Sequence, residues 1–487
     1  MKIAIVGFGV SGAGLLMSMN AAGKLTPDVK VDIFDPREEL AVGLAYGKDS
    51  NHLLVNAFPT AMSLDPENKY DFSEWLERHY PKYESRVDLV PRPIFGEYAT
   101  ERLTPLVEKE NVTHYAKEII DVGQVAENTA ESNLLTDSKG QPYGNYDYLF
   151  LAVGNAAYND FYDLEGTENY IGDPYPVIEK LAFIQSDTRV AILGSSLTAF
   201  DLVNYLSHEK KLIHPMGVFT VVPHFNSLRV PPYQGPALQF SLDEQWRQEM
   251  KREYHGVIPL DQMLDRIKKD LEENAIDLEE IRKQYDPTDL PGTYQVYFKQ
   301  EHPELSKLQA YISLLAGHLA DLFMSMTKED FNRYQRDYAP LFRHYRVRLA
   351  PDAVKNMYHR LQADELFIVP DLKNIQQTTP FILESASGET YEADVVINAT
   401  GFDFNTDRIS DKQPLLRNLL DKGFLLDKEK RGILVSWPES QVINQQDGTL
   451  ENCFFIGPWI SNTHFGNNNV NALVKKADEI VQNYLNF

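Results

Sequence analysis

Cysteine is nearly absent: Cys453 is the only one in 487 residues. A single thiol excludes an internal disulfide, a Cys-x-x-Cys redox pair and a cysteine-based zinc cluster. It fits a reducing, cytoplasmic compartment. Cys453-Phe454-Phe455-Ile456 reads as a buried strand, so a packed thiol is expected there rather than a nucleophile. Positive charge is also scarce. Forty-seven Lys and Arg face 71 Asp and Glu, for a formal net charge of −24. That balance disfavours nonspecific binding to nucleic acid or to an anionic membrane. Long apolar runs are missing as well. The most apolar stretch, Leu308 to Met326, contains Gln309, His318 and Asp321, and it reads as a buried helix rather than a membrane span. The apolar N-terminus reads as a strand, not a secretion signal. No metal-ligand spacing, P-loop or nucleophile–base pattern stands out, and the 12 histidines are scattered. The length still allows two or three domains with sizeable cores.

What is present begins at the first dozen residues. Lys2-Ile3-Ala4-Ile5-Val6 is a short β-branched run. It leads into Gly7-Phe8-Gly9-Val10-Ser11-Gly12, and a helical pattern follows from Ala13 to Met19. Strand, glycine turn and helix in that order make a dinucleotide-binding fingerprint. Gly7 permits the tight turn, Gly9 lets a pyrophosphate approach the backbone, and Gly12 lets helix and strand pack closely. The helix N-terminus supplies unpaired N–H groups and the positive end of a dipole. Val31-Asp32-Ile33-Phe34-Asp35 reads as the second strand, ending in an acid 23 residues after Gly12. The spacing expected for a ribose-binding carboxylate is about 20. Asp35 would accept from a 2′-hydroxyl and repel a 2′-phosphate, which suits FAD or NAD better than NADP.

A weaker copy of this plan begins near Arg189. Val190 to Leu193 reads as a strand, Gly194-Ser195-Ser196-Leu197-Thr198-Ala199 as a turn, Phe200 to Leu206 as a helix and Val218 to Val222 as the next strand. Ser195 is read as standing where a glycine would admit pyrophosphate, with Ala199 at the third glycine position. The residues after that strand, Pro223 to Arg229, offer Arg229 as the one obvious cation for a 2′-phosphate. NADH, NADPH and no nucleotide all stay open for this second site. From about Gln239 to Gln362 the chain turns helical, with Leu260, Met263, Leu264, Ile267, Leu271, Leu278, Ile281 and Tyr285 at helical spacing. That stripe reads as one apolar face of a helix or broken helix packed in a core. The basic run Arg343-His344-Tyr345-Arg346-Val347-Arg348 is unusual in so acidic a chain. It reads either as a contact for an anionic substrate or nicotinamide phosphate, or as salt bridges to the surplus carboxylates. Apolar strands ending in Gly154, in Ala399-Thr400-Gly401 and in Gly457 complete the pattern, with a closing helix from about Asn469 to Tyr484.

This order of motifs resembles the flavoproteins with two dinucleotide-binding domains. Within them the chain is similar to the FAD-NAD(P)-binding family related to bacterial lysine and ornithine N-monooxygenases. Gly43-Leu44-Ala45-Tyr46, His52-Leu53-Leu54-Val55-Asn56, Ala61-Met62-Ser63, Phe72-Ser73-Glu74-Trp75-Leu76 and Arg92-Pro93-Ile94-Phe95-Gly96-Glu97-Tyr98 carry the closer match. The resemblance implies an α/β fold. It would consist of a Rossmann-like FAD-binding domain (1–185 and 401–487) and an inserted Rossmann-like NAD(P)-binding domain (186–400), with a helical insertion at about 240–345. It implies that Gly7, Gly9, Val10, Ser11 and Gly12 cradle the FAD pyrophosphate and that Asp35 holds the adenosine ribose. Ile119 would lie near adenine, Asn56, Met62 and Ser63 near the isoalloxazine, and Gly154 under the cofactor. Gly457, Thr463, His464 and Phe465 would meet the flavin near N1 and O2. Gly194, Ser195, Ser196, Leu197 and Thr198 would form the nicotinamide nucleotide turn.

Flavin supplies the hard chemistry, so no side chain need advertise itself as catalytic, and none is singled out. The missing cysteine pair argues against the disulfide-reductase branch. The leading expectation is a single-component, monooxygenase-like oxidoreductase. NAD(P)H would reduce its FAD, and oxygen would then oxidise a small nucleophilic substrate, an amine among them. A flavin dehydrogenase or oxidase reduced by its own substrate remains open, as does a non-enzymatic redox sensor with FAD as ligand. Substrate and oligomeric state are not legible.

Overall fold

The computed structural model describes residues 1–124, 133–220, 225–286, 288–299, 301–409 and 411–485. The chain forms two compact units, one of residues 1–159 and 402–487 and the other of residues 160–401. The first opens with β1 (Lys2–Val6), α1 (Val10–Ala21), β2 (Lys30–Phe34), β3 (Val112–Tyr115) and β4 (Tyr148–Leu151). The second contains β5 (Tyr170–Ile171), β6 (Val190–Leu193), α2 (Leu197–Tyr205) and β7 (Met216–Phe219). Its helical run includes α3 (Leu260–Glu273), α4 (Leu278–Gln284), α5 (Pro303–Ala316), α6 (Leu319–Met324), α7 (Lys328–Asp337) and α8 (Ala339–Arg346). It closes with β8 (Leu366–Val369) and β9 (Val395–Asn398). The chain then returns to the first unit with β10 (Gln441–Asn444), β11 (Gly448–Phe455) and α9 (Val470–Tyr484).

The first unit is built on a six-stranded sheet ordered β10-β11-β4-β1-β2-β3. Every pair in it is parallel except β10 with β11. Parallel strands need crossovers, and those crossovers cover the faces, so these strands read as continuous apolar runs. Ile3, Ile5, Phe150 and Phe454 pack on one face with α1 and α9. Ala4, Val6, Leu149, Leu151 and Cys453 pack on the other. Burial pushes the Cys453 thiol pKa well up, so it is a neutral packing group. The second unit repeats the plan in a five-stranded parallel sheet, β8-β7-β6-β9-β5. Each unit also carries a three-stranded antiparallel sheet, at 119–146 and at 372–393.

Residues 160–185, assigned to the FAD-binding part from the sequence, lie in the second unit, because β5 pairs with β9 there. The strand expected over Val218–Val222 runs from Met216 to Phe219. Val221, Val222, Pro223 and His224 lie outside the described residues. The helical stripe from Leu260 breaks into α3 and α4, and the apolar stretch from Leu308 breaks near Gly317 into α5 and α6. Among the described residues, no helix is long and apolar enough to cross a membrane.

Candidate nucleotide-binding sites

In the first unit β1 runs at the sheet centre and α1 leaves its C-terminal end. Gly7 sits at φ +96°, and a Cβ there would lie 2.2 Å from the carbonyl oxygen of Ala152. A Cβ on Gly12 would lie 2.3 Å from the Gly7 oxygen. Both positions are closed to any side chain by backbone. Gly9, the N-cap of α1, differs: a Cβ there would find only the Gly43 Cα, at 3.6 Å. Gly9 therefore borders open space at the helix start. The first intrahelical bond runs from Ala13 N–H to Gly9 O at 2.9 Å, so the N–H groups of Val10, Ser11 and Gly12 have no acceptor within the helix. α1 has neither a capping side chain nor an acid in its first turn. An open, uncapped helix N-terminus flanked by glycine suits a pyrophosphate. β11 ends over the same place. Gly457 has φ +131°, and a Cβ on it would lie 3.9 Å from Ser11 Oγ. Gly154 is also left-handed, with nothing within 4 Å of its Cβ position.

Asp35 follows β2 and is 2% exposed. Its carboxylate accepts from Phe8 N–H at 2.8 Å, Arg37 N–H at 3.0 Å and Arg37 Nε at 3.0 Å. Burial works to raise its pKa, but hydrogen bonds and charge from Arg37 and the Phe8 N–H outweigh this and hold it below the usual value. Arg37 was not anticipated; it stands two residues past the acid, and nothing in the sequence marked it. Beside it on β3, His114 keeps a buried Nε2 with no partner, and burial lowers its pKa against the charge of Asp35. Replacing Asp35 by Asn would remove an acceptor that binds as an anion. Charged hydrogen bonds contribute about 1.5–3 kcal/mol, so FAD affinity is expected to fall at least about tenfold. Fluorescence-quenching titration of apoprotein with FAD measures this, and an unchanged affinity would remove Asp35 from the ribose site.

The other expected FAD contacts divide. Thr463 is 2% exposed with an unpartnered Oγ1, an orphaned polar atom that a ligand can satisfy. Asn56 is exposed and Phe465 half-buried. Met62 instead packs in the core around α1. Ser63 Oγ donates to Asn68 O at 2.7 Å and accepts from Asp65 N–H at 3.1 Å, closing its own turn. Ile119 is buried in the core with Phe34 and Tyr146. These three side chains are engaged in packing and turn formation. His464 is buried, with Nε2 3.0 Å from Ser440 Oγ. Burial, and then the Lys476 charge, lower its pKa to about 3, so it is a neutral imidazole.

The second unit reproduces the first turn closely. Gly194 has φ +129°, and a Cβ there would lie 2.3 Å from Ala399 O. Gly7 N–H donates to Phe34 O at 2.8 Å, and Gly194 N–H donates to Phe219 O at 2.8 Å. Ala152 N–H donates to Val6 O at 2.8 Å, and Ala399 N–H to Leu193 O at 2.7 Å. This correspondence corrects the sequence alignment: the N-cap of α2, equivalent to Gly9, is Ser196 and not Ser195. Ser196 Oγ accepts from Asn226 Nδ2 at 2.9 Å, and α2 too lacks an acid in its first turn. Leu197 and Thr198, the first residues of α2, are half-buried. The position of Asp35 is taken by Thr220, whose N–H donates to Val369 O as Asp35 N–H does to Tyr115 O. Thr220 is 1% exposed and its Oγ1 has no partner. Arg229 is deeply placed, and burial lowers its pKa to about 10. Arg348 is bound by neutral oxygens, Ser313 Oγ at 2.9 Å and Gln309 O. Burial, then the charges of Arg229 and Arg346, lower its pKa to about 10. Among the described residues, no cluster of three or more His, Cys, Asp or Glu is arranged to hold a metal.

Residues 4–156 match the model of an FAD-NAD(P)-binding family. Among solved structures, the chain is similar to L-lysine 6-monooxygenase from Pseudomonas syringae, with TM-score 0.63, 14% identity, and coverage of 99% of each chain. It is also similar to ornithine hydroxylase from Pseudomonas aeruginosa, with TM-score 0.61, 13% identity, and coverage of 99% of this chain and 98% of that one. The ornithine N-hydroxylase of Kutzneria sp. 744, solved with reduced FAD, NADP+ and L-ornithine, aligns with TM-score 0.55 and 13% identity over 99% of this chain and 97% of that one. No curated protein matches the sequence. The fold is that of the two-nucleotide flavin monooxygenases.

Proposed function

We propose that this protein is an FAD-dependent, monooxygenase-like oxidoreductase that draws electrons from a nicotinamide nucleotide and oxidises a small molecule. The observation that carries this reading is the duplicated turn, in which one glycine cradle is followed by a buried acid and the other by a neutral Thr220. Bound FAD would supply electron transfer and oxygen chemistry that no side chain here can provide. The chain's own residues bind and orient. The N–H groups of Val10, Ser11 and Gly12 face the pyrophosphate across Gly9, and Asp35 accepts from the adenosine ribose. Thr463 offers its free hydroxyl to the flavin side. In the second unit the start of α2 receives the other pyrophosphate. Thr220 brings no charge to repel a 2′-phosphate, so NADPH is the expected reductant. The structural neighbours named for lysine and ornithine support a small amine as substrate. The single buried thiol suits a reducing cytoplasm.

The test is anaerobic stopped-flow mixing of FAD-loaded protein with NADH and with NADPH, following the visible flavin band. Rapid bleaching by NADPH, slower by NADH, is the expected result. Bleaching by neither would overturn the nicotinamide step and favour a flavin dehydrogenase reduced by its substrate, or a sensor.

A further inference from the structure

The two glycine turns differ at the start of the helix that follows. Gly9 and Ser196 hold the same extended N-cap conformation, φ −82° and ψ −159° against φ −112° and ψ −163°. After Gly9, the N–H groups of Val10, Ser11 and Gly12 all lack an intrahelical acceptor. After Ser196, one of the three equivalents is already used, because Ala199 N–H donates to Ser196 O at 2.9 Å. That leaves α2 the N–H groups of Leu197 and Thr198. The residue that takes up the third N–H also brings a hydroxyl to the same place.

A hydroxyl carries one proton and two lone pairs. Ser196 Oγ accepts from Asn226 Nδ2 at 2.9 Å. Its own proton has no acceptor among the described residues, and the side chain is exposed. The bond from Asn226 turns that proton away from the amide. It also polarises the hydroxyl, which strengthens it as a donor.

Asn226 is held in place by its neighbours, Phe225 and Ser227, which are both buried. His344 Nδ1, on α8, bonds to Phe225 O at 2.5 Å, and Ser227 N–H donates to His344 O at 2.8 Å. Leu228 N–H donates to Tyr297 Oη at 2.7 Å, and Arg229 N–H to Leu349 O at 3.0 Å. Phe225, Ser227, Leu228 and Arg229 are thus fastened to the helical part of the unit, while the Asn226 side chain reaches back to α2. His344 is 2% exposed, so this member of the basic run clamps backbone. A polar group supported in this way keeps its geometry when a ligand arrives.

We propose that Asn226 is a positioning residue for the nicotinamide nucleotide: it orients the Ser196 hydroxyl so that its proton is offered to the pyrophosphate, in place of the donor used at Ala199. The proposal rests on the reading that the start of α2 receives that pyrophosphate.

Isothermal titration of the full-length, FAD-loaded protein with NADP+ tests it. The wild type is expected to saturate one site. Asn226→Ala and Ser196→Ala should each weaken NADP+ about five- to tenfold, with FAD content unchanged. The double variant should bind no more weakly than either single one, because both act through one hydrogen bond. Asn226→Asp would accept the Ser196 proton and set a negative charge beside the pyrophosphate, so it should weaken binding on the order of 100-fold. In anaerobic stopped-flow reduction by NADPH, Asn226→Ala should need more nucleotide, yet its limiting rate at saturation should stay within about twofold of wild type. Unchanged affinity in Asn226→Ala, additive losses in the double variant, or Asn226→Asp binding as well as wild type would each overturn the proposal while leaving the nicotinamide reading intact. A wild type that binds neither NADP+ nor NADPH would overturn that reading, and this proposal with it.

Discussion

Gly7→Ala is expected to yield protein that is thermally weakened and nearly free of FAD. The added Cβ would stand 2.2 Å from Ala152 O and 2.7 Å from Ala152 C. Both are backbone atoms in the residue that follows β4, so no side chain can swing away. The residue would also have to hold φ +96°, which costs an L-residue about 1–2 kcal/mol. Forcing extra volume into close packing adds about 1–3 kcal/mol. A total of roughly 2–5 kcal/mol is a large share of the 5–15 kcal/mol that stabilises a typical domain, and at this size lowers Tm by roughly 10 °C. The damage falls on the turn that presents the start of α1, so FAD stoichiometry should drop with it. Two comparisons isolate the cause. Gly23 also has positive φ, +66°, but nothing lies within 4 Å of its Cβ position. Gly23→Ala should therefore cost only about 1 kcal/mol and keep FAD. Gly194→Ala repeats the clash against Ala399 O at 2.3 Å, so it should spare FAD and abolish reduction by NADPH. Differential scanning calorimetry and the flavin-to-protein absorbance ratio measure all three. A Gly7→Ala protein as stable as Gly23→Ala would show that the close approach is not obligatory.

The residues that made this turn legible are those whose chemistry is local. A glycine held at positive φ, a β-branched strand before it and an acid one strand later can each be read from a few neighbouring letters. The mid-chain copy lacks the second and third glycines, so no glycine marks its second position. Counted from Gly194 as Gly9 is from Gly7, that position is Ser196, and the matching bonds from Gly7 to Phe34 and from Gly194 to Phe219 agree with it. Thr220 went unnoticed for the related reason that an absent charge leaves no mark in a sequence. Met62, Ser63 and Ile119 show a different limit. Their segments are similar to cofactor-binding ones, but similarity does not tell which way a side chain points, and these point into cores and turns. The stripe from Leu260 to Tyr285 was recognisable as apolar and helical. What stands against that face depends on α5, α6, α7 and α8, which come later in the chain, and no local pattern encodes how they meet it.

Acidification from pH 7 to 5 is expected to destabilise the first unit chiefly through His464. In the folded chain its pKa is about 3, because burial excludes the charged ring and Lys476 and Lys428 oppose it further. Unfolded, it returns to about 6.5. Below that value the unfolded state binds a proton that the folded state refuses. Stability present above pH 6.5 is therefore lost as pH falls, until the folded ring itself protonates near pH 3. At pH 5 the loss is roughly 2 kcal/mol, or about 4–8 °C in Tm for a unit of this size. The acids coupled to folding do not mask this window. Asp35 and Asp71 are both held below the usual carboxylate value, so they stay ionised at pH 5 in either state. His464→Gln keeps a polar group beside Ser440 Oγ, which lies 3.0 Å from His464 Nε2, and removes the titration. The variant should start less stable at pH 7, having lost the imidazole's packing against Trp437, yet lose several degrees less on going to pH 5. Calorimetry of both proteins at the two pH values decides it. Parallel losses in wild type and variant would mean that the ring accepts a proton where it stands, and the loop from Thr463 to Phe465 would then be open to water rather than sealed.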